Sequence, residues 1–218
     1  MGTGKTLRLP GVNRSRCAGS SNLQHSGRYN LSDEVLKIFK MAEAIKEGHF
    51  LLTSGLHSPV YWEKFRILQY PHYTEKLCRL MAQHFKDQKV ELVAGPTTGG
   101  IILAFETARQ LGVRSIFAEK EGETRVFRRD FTITPGERIL IVDDILTTGG
   151  SIKETMSAVR KLGGIVIGIG VLVNRGTEKV DFGVPLFSCL RSPTTVYPAE
   201  ECPLCAANIP LIKPGALK

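Results

Sequence analysis

The sequence predicts an α/β protein built on a mainly parallel sheet with helices on both faces. Three stretches carry that expectation: the short aliphatic runs 90–94, 139–142 and 165–173, the first two each followed by a glycine-containing turn and then a helical pattern. Strands that are apolar throughout, with no alternation, are strands buried on both faces, and their regular exchange with helices implies parallel order. With 218 residues, 42% hydrophobic and 23% charged, the chain holds enough apolar material for one sizeable core.

Taken in order, 31–48 reads as an amphipathic helix, with Ser32 as N-cap, Val35, Ile38, Phe39, Ala42 and Ile45 on its buried face, and Gly48 as its stop. Residues 50–53 and 60–65 read as short strands around a turn at 54–59. Pro71 suits the first turn of a helix whose buried face is Tyr73, Leu77, Leu80, Met81 and Phe85. Then follow strand 90–94, turn 95–100 and a helix to Leu111, and strand 139–142, turn 143–150 and a helix to Leu162. Ligands of such sheets bind beyond the carboxyl ends of the strands, so the turns after Ala94, Val142 and Val173 are expected at one edge.

Charge and cysteine content narrow the classes. Five of the eight net positive charges, Lys5, Arg8, Arg14, Arg16 and Arg28, fall in the first thirty residues, where there is no acid. That segment lacks hydrophobic periodicity and an apolar signal region, so a disordered basic tail is expected for 1–30, with an organelle transit peptide as the alternative. The remainder is nearly balanced and has no basic stripe interleaved with aromatics, which argues against nucleic acid as a partner. No run of roughly 18 apolar residues supports a membrane span. Five cysteines without a secretory signal suggest reduced thiols in a cytoplasmic protein. Cys202 and Cys205 have metal-ligand spacing, but no second Cys-x-x-Cys or nearby histidine pair completes a zinc site in the sequence, so packing or an exposed turn is the expectation.

Chemistry concentrates in ILIVDDILTTGGS at 139–151. Asp143 and Asp144 at a strand end can hold ribose hydroxyls, directly or through the waters of Mg2+. Thr147, Thr148, Gly149, Gly150 and Ser151, opening a helix, can cradle a phosphate with backbone amides and hydroxyls. Acids beside a phosphate cradle imply a sugar phosphate with a metal. This stretch resembles the motif with which type I phosphoribosyltransferases bind phosphoribosyl pyrophosphate (PRPP). The resemblance implies that family's fold, a mainly parallel sheet flanked by helices with a small hood, the core at about 71–190 and the hood at about 31–70 plus the C-terminal segment. It also implies Mg-PRPP as donor, Mg2+ held at Asp143 and Asp144 through water, and a homodimer.

Gly95-Pro96-Thr97-Thr98-Gly99-Gly100 is similar to the family's pyrophosphate loop, which assigns Thr97, Thr98 and Gly99 to PRPP. The segment LTSGLHSPVYW at 52–62 resembles the hood of orotate phosphoribosyltransferases. The likeness gives Ser54, Tyr61 and Trp62 to the base, together with Thr147 and Arg175, and implies orotate as acceptor and pyrimidine synthesis as the setting. A flat carboxylate-bearing ring suits aromatics and a guanidinium. Departures from the family are Thr53 in place of a lysine, Thr98 and Gly99 in place of a Tyr-Lys pair, and no histidine in the catalytic loop, here 118–130. Lys120 keeps the place of the first loop lysine, and Arg125, Arg128 and Arg129 offer replacement cations. The same stretch also reads as a solvated hairpin around Glu121 and Gly122. Two rivals stand beside this expectation: a purine phosphoribosyltransferase, which has no carboxylate to neutralise with Arg175, and a PRPP-sensing regulator that has lost turnover.

Overall fold

The computed structural model describes residues 31–52 and 54–214. The basic segment 1–30 and Thr53, and with them the expectations about a tail, a transit peptide and the lost hood lysine, lie outside the described residues. Helix α1 (Leu31–Met41) leads into a hairpin of β1 (Ile45–Leu51) and β2 (His57–Trp62), and a short helix α2 (Phe65–Leu68) joins it to α3 (Pro71–Phe85). Then come β3 (Leu92–Pro96), α4 (Gly99–Leu111), β4 (Arg114–Glu121), β5 (Thr124–Phe127), β6 (Arg138–Leu146), α5 (Gly150–Lys161), β7 (Ile165–Asn174) and β8 (Leu186–Arg191). A single 3-10 turn and the one-turn helix α6 (Pro203–Ala206) close the described chain.

Six strands form one sheet in the order β5-β4-β3-β6-β7-β8, parallel except for the antiparallel β4–β5 pair. The expected fold class is therefore the observed one. Alternation along β6 divides the core: Leu140 and Val142 pack into a cluster with Phe39, Leu77, Met81, Phe85 and Leu103 from α1, α3 and α4. Ile139 and Ile141 pack on the opposite face with Ile152, Met156 and Val159 from α5. With α3 and α4 on one face and α5 on the other, every central strand is covered twice, which is why these strands read as unbroken aliphatic runs.

The opening helix is shorter than its periodicity suggests. It stops at Met41 because Glu43 takes a left-handed conformation (φ 51°) and the Ala44 amide turns back to the Phe39 carbonyl at 2.9 Å. Ile45 consequently begins a strand instead of ending a helix, and Ser32 lies within the first turn instead of capping it. The second strand starts earlier than expected, at His57, and Phe65 belongs to a helix. Strand β8 carries no strong periodic signal and has no counterpart in the sequence reading.

Among the described residues no helix is long and apolar enough to cross a membrane. The turn between β3 and α4 is held by backbone against backbone: a Cβ on Gly95 would lie 2.1 Å from the Gly100 carbonyl oxygen. Around Gly150 there is open space within 4 Å. We expect Gly95→Ala to lower stability by at least roughly 1–3 kcal/mol through overpacking, and Gly150→Ala to change it by less than about 1 kcal/mol; urea unfolding of the two variants beside the parent checks both.

Candidate active site

The direction of chain growth reverses between β3 and β6. From β3 the sheet extends through β4 and β5 to one edge, and from β6 through β7 and β8 to the other. At such a switch point the two departing turns diverge and leave a crevice at the carboxyl ends of the strands. Here those turns are 97–98 after β3 and 147–149 after β6, the two stretches singled out from the sequence.

Asp143 and Asp144 are not in the turn, as the reading of 143–150 has it, but inside β6, which continues to Leu146; Asp143 pairs with Val171 of β7. Both are buried at 5% exposure. Asp143 accepts hydrogen bonds from the Asp144 amide at 2.8 Å and from the Ser151 hydroxyl at 2.7 Å. Asp144 Oδ2 meets Lys64 Nζ at 2.9 Å. Two adjacent carboxyls out of water cannot both ionise freely, so burial and the neighbouring Asp144 charge push the Asp143 pKa up to about 7, against the pull of Ser151 and Lys64. Burial alone would depress the Lys64 ammonium, but Asp144 outweighs it and the pKa is raised.

After β6, Thr147 and Thr148 are exposed and Gly149 turns the chain in a left-handed conformation (φ 80°) into α5, with Gly150 and Ser151 at its start. A cavity of about 460 Å³ opens beside this turn, lined by Thr147, Thr148, Lys153, Arg175, Lys179 and Thr194 among others. Arg175 follows β7, its amide bonded to the Leu146 carbonyl at 2.8 Å. It is 7% exposed; one guanidinium nitrogen reaches Ser58 Oγ at 3.3 Å and the Val60 carbonyl at 3.2 Å, and Nε has no partner. Burial pulls its pKa down from the usual guanidinium value.

The hood residues are placed differently from what the sequence suggests. Ser54 is exposed in the hairpin turn, Tyr61 lies tilted against Phe50 with ring centroids 5.6 Å apart, and neither lines the Arg175 cavity. Trp62 is 5% exposed and meets Phe39 edge-on at 5.1 Å, inside the core cluster. Its packing is explained by β2: Trp62 pairs with Ile45, and this end of the hairpin lies against α1. Ser58 and Val60, not Ser54, Tyr61 or Trp62, are the hairpin residues that meet Arg175.

The segment 118–130 forms a hairpin of β4 and β5 around Glu121 and Gly122, as its alternation allows. Its cations have local partners: Lys120 meets Glu154 at 3.0 Å, Arg128 meets Glu121, and Arg129 meets Glu119 at 2.9 Å. Arg125 differs in direction. Its Nη1 reaches Thr97 Oγ1 and the Ala118 carbonyl, both at 3.2 Å, while Nε lies 3.4 Å from Glu154. It is the loop cation in contact with the turn after β3, where Thr97 is half-buried, Thr98 exposed and their shared peptide cis.

A phosphoribosyl transferase domain model matches residues 66–184. The chain belongs to the phosphoribosyltransferase family. It is 51% identical over 186 residues to the orotate phosphoribosyltransferase of Caldanaerobacter subterraneus subsp. tengcongensis, covering 85% of this chain and 98% of that one. Its fold is similar to the crystal structure of orotate phosphoribosyltransferase from Aeropyrum pernix, with TM-score 0.63 and 28% identity, over 72% of this chain and 93% of that one. It is also similar to adenine phosphoribosyltransferase from Thermoanaerobacter pseudethanolicus, with TM-score 0.59 and 25% identity, over 72% and 99%. The shared fold thus accommodates different bases, and the acceptor has to be argued from side chains.

Three cations of this phosphoribosyltransferase escaped the sequence reading: Lys64, Lys153 and Lys179. Lys153 follows the phosphate-cradle motif by two residues, so its place on the first turn of α5 was inferable; Lys64 and Lys179 have no local signal. Because folded Asp143 is protonated more readily than the unfolded side chain, its contribution to stability is present at low pH and lost as pH rises from about 4 to about 7. We expect Asp143→Asn to lower Tm least, or to raise it, at pH 8 and to compare less favourably with the parent at pH 5; thermal melts of the ligand-free protein at the two pH values test the sign.

Proposed function

We infer that the chain is an orotate phosphoribosyltransferase, which joins the phosphoribosyl group of Mg-PRPP to orotate, giving orotidine 5'-monophosphate and pyrophosphate. The carrying observation is the 51% identity to a protein of that name across nearly all of its length. Arg175 supports the choice of acceptor over a neutral purine. A buried guanidinium beside the cavity is a ready counter-charge for a carboxylate-bearing ring, and a neutral base would leave that charge uncompensated.

In this reading the 5'-phosphate rests on the backbone amides and hydroxyls of Thr147, Thr148, Gly149, Gly150 and Ser151, and the ribose hydroxyls on Asp143 and Asp144. Thr97, Thr98 and Gly99 hold pyrophosphate. The site needs to position two reactants in line and to stabilise charge on the leaving group, since the sugar carbon becomes cationic as pyrophosphate departs. Cations near the turn after β3 therefore matter most, and Arg125, already bonded to Thr97, is better placed for that work than Lys120, which is turned to Glu154.

Mg2+ fits the donor set. Asp143 and Asp144 present hard oxygens, Asp144 already attracts an ammonium, and burial together with the Asp144 charge makes ionised Asp143 costly, a cost a divalent ion relieves. Bound through water there, the ion would add positive charge near the leaving pyrophosphate. A homodimer belongs to the same proposal, supported by Ile102 and Phe105, exposed at 38% and 66% on one side of α4. A cytoplasmic setting is supported by cysteines that are free among the described residues.

Mixing the protein with Mg-PRPP and following orotate absorbance, with adenine, hypoxanthine and uracil in parallel, decides the reading: turnover with orotate alone is expected, and PRPP binding without turnover on any base points to a sensor. Arg175→Gln should lower kcat/KM for orotate by roughly 10- to 100-fold, the worth of a charge-assisted hydrogen bond, with PRPP affinity retained. Arg125→Met should lower kcat more than Lys120→Met does, measured at saturating substrates.

A further inference from the structure

We propose that His49, His57, Cys202 and Cys205 form a structural zinc site that clips the C-terminal segment onto the β1–β2 hairpin. The four side chains come from two stretches about 150 residues apart, and their ligand atoms all lie within 4.8 Å of one another. His49 Nε2 is 2.9 Å from His57 Nδ1, 3.5 Å from Cys202 Sγ and 3.7 Å from Cys205 Sγ, and Cys205 Sγ is 3.3 Å from His57 Nδ1. A tetrahedral ion with Zn–N of about 2.1 Å and Zn–S of about 2.3 Å sets ligand-to-ligand edges of about 3.4–3.8 Å. The four closest separations, 2.9–3.7 Å, lie at or just below those edges and no pair exceeds 4.8 Å, so an ion enters with side-chain shifts of about half an ångström to one ångström.

The surroundings point the same way. His49 and His57 are 1% and 4% exposed and Cys202 is 3% exposed, while Cys205 sits at the surface, a route of entry. His49 Nδ1 lies 2.8 Å from the Ile209 carbonyl; donating its proton there leaves Nε2 with a free lone pair toward the cluster, the tautomer a metal requires. The strand is shaped for it as well. Between Glu47 and Phe50 the register of β1 against β2 shifts, a bulge of the kind that re-aims a side chain, and His49 sits in it. Without an ion the two thiols make only weak sulfur contacts to the imidazoles, which themselves share one ring-to-ring hydrogen bond. Binding would release the two thiol protons and leave a dianionic thiolate pair matched to the ion.

The consequence is mechanical. The C-terminal segment is already zipped to the hairpin by His57–Tyr197 amide pairs at 2.8 and 2.9 Å, and by Leu51–Ile212 and Ile212–His49 bonds at 2.9 and 2.8 Å. Leu52, Thr194 and Val196, which flank these joins, line the Arg175 cavity. A metal clip therefore steadies the Leu52, Thr194 and Val196 side of that cavity without touching substrate, a role separate from the Mg2+ proposed at Asp143 and Asp144.

The test uses untagged protein purified without chelator, its metal content read by plasma mass spectrometry and its cobalt-substituted form by absorption. About one zinc per chain is expected, along with thiolate-to-cobalt charge transfer and the visible bands of a tetrahedral centre. Cys205→Ser, at an exposed position, should abolish stoichiometric zinc and the charge-transfer band with far-ultraviolet circular dichroism unchanged. Wild-type protein that takes up no zinc or cobalt from solution, that keeps its zinc in Cys205→Ser, or that is isolated with a Cys202–Cys205 disulfide overturns the proposal. None of these readouts depends on orotate turnover, so failure of the acceptor assignment would show separately.

Discussion

A Cβ built on Gly99 would stand 2.0 Å from Asp144 Oδ2, so the turn after β3 and the acidic end of β6 are in contact with no room for a side chain between them. That contact joins the two halves of the sheet at the point where strand order reverses, and it explains why a glycine follows Thr98 in this chain. It also keeps the carboxylates out of water. Their burial makes them costly when ionised and unpaired, and Lys64 from the segment after β2 supplies the nearest relief. Asp144 thus joins the segment after β2 to β6 through one charged pair, with the β3 turn packed against the same carboxylate at Gly99.

The same economy governs the loop cations. Four basic residues between 120 and 129 look like a strongly positive arm in the sequence, yet Glu119, Glu121 and Glu154 engage them in turn. Exposed pairs of this kind contribute little to stability, with a median of about 0–1 kcal/mol, and can be exchanged for an anionic ligand at small cost. Held this way, the arginines and the lysine stay ordered near the site while remaining available. Arg125 alone also bonds the β3 turn, so a charge arriving at Thr97 meets a guanidinium already in position.

Much of this was legible in the sequence because it is written locally. Aliphatic runs at 139–142 and 165–173 identify central strands, and the acids, threonines and glycines that follow Val142 stand next to one another in the chain as they do in space. What escaped reading is non-local. Trp62 looks like a base-stacking aromatic, but whether a β2 residue faces a ligand or the core depends on register against β1, and the opening helix ends early enough for Phe39 to take it into the core. Lys64 meets Asp144 across 80 residues of sequence, and β8 is recognisable only as the last partner of β7.

The cysteine pair shows the limit most clearly. Cys202 and Cys205 are half of a ligand set, and the chain offers no histidine near them; the missing half lies in a hairpin on the far side of the sheet's own sequence, as His49 and His57. Their eight-residue separation resembles no finger-type spacing, because the two are brought together across an antiparallel pair and by a bulge, not by a single tight loop. The C-terminal segment leaves its larger apolar side chains largely in water, with Ile209, Leu211 and Ile212 41–52% exposed, so hydrophobic packing gives it little reason to stay against the hairpin. Four backbone hydrogen bonds and a four-ligand cluster do that instead, and by fixing Thr194 and Val196 they extend the influence of a surface cysteine to the wall of the cavity that Arg175 lines.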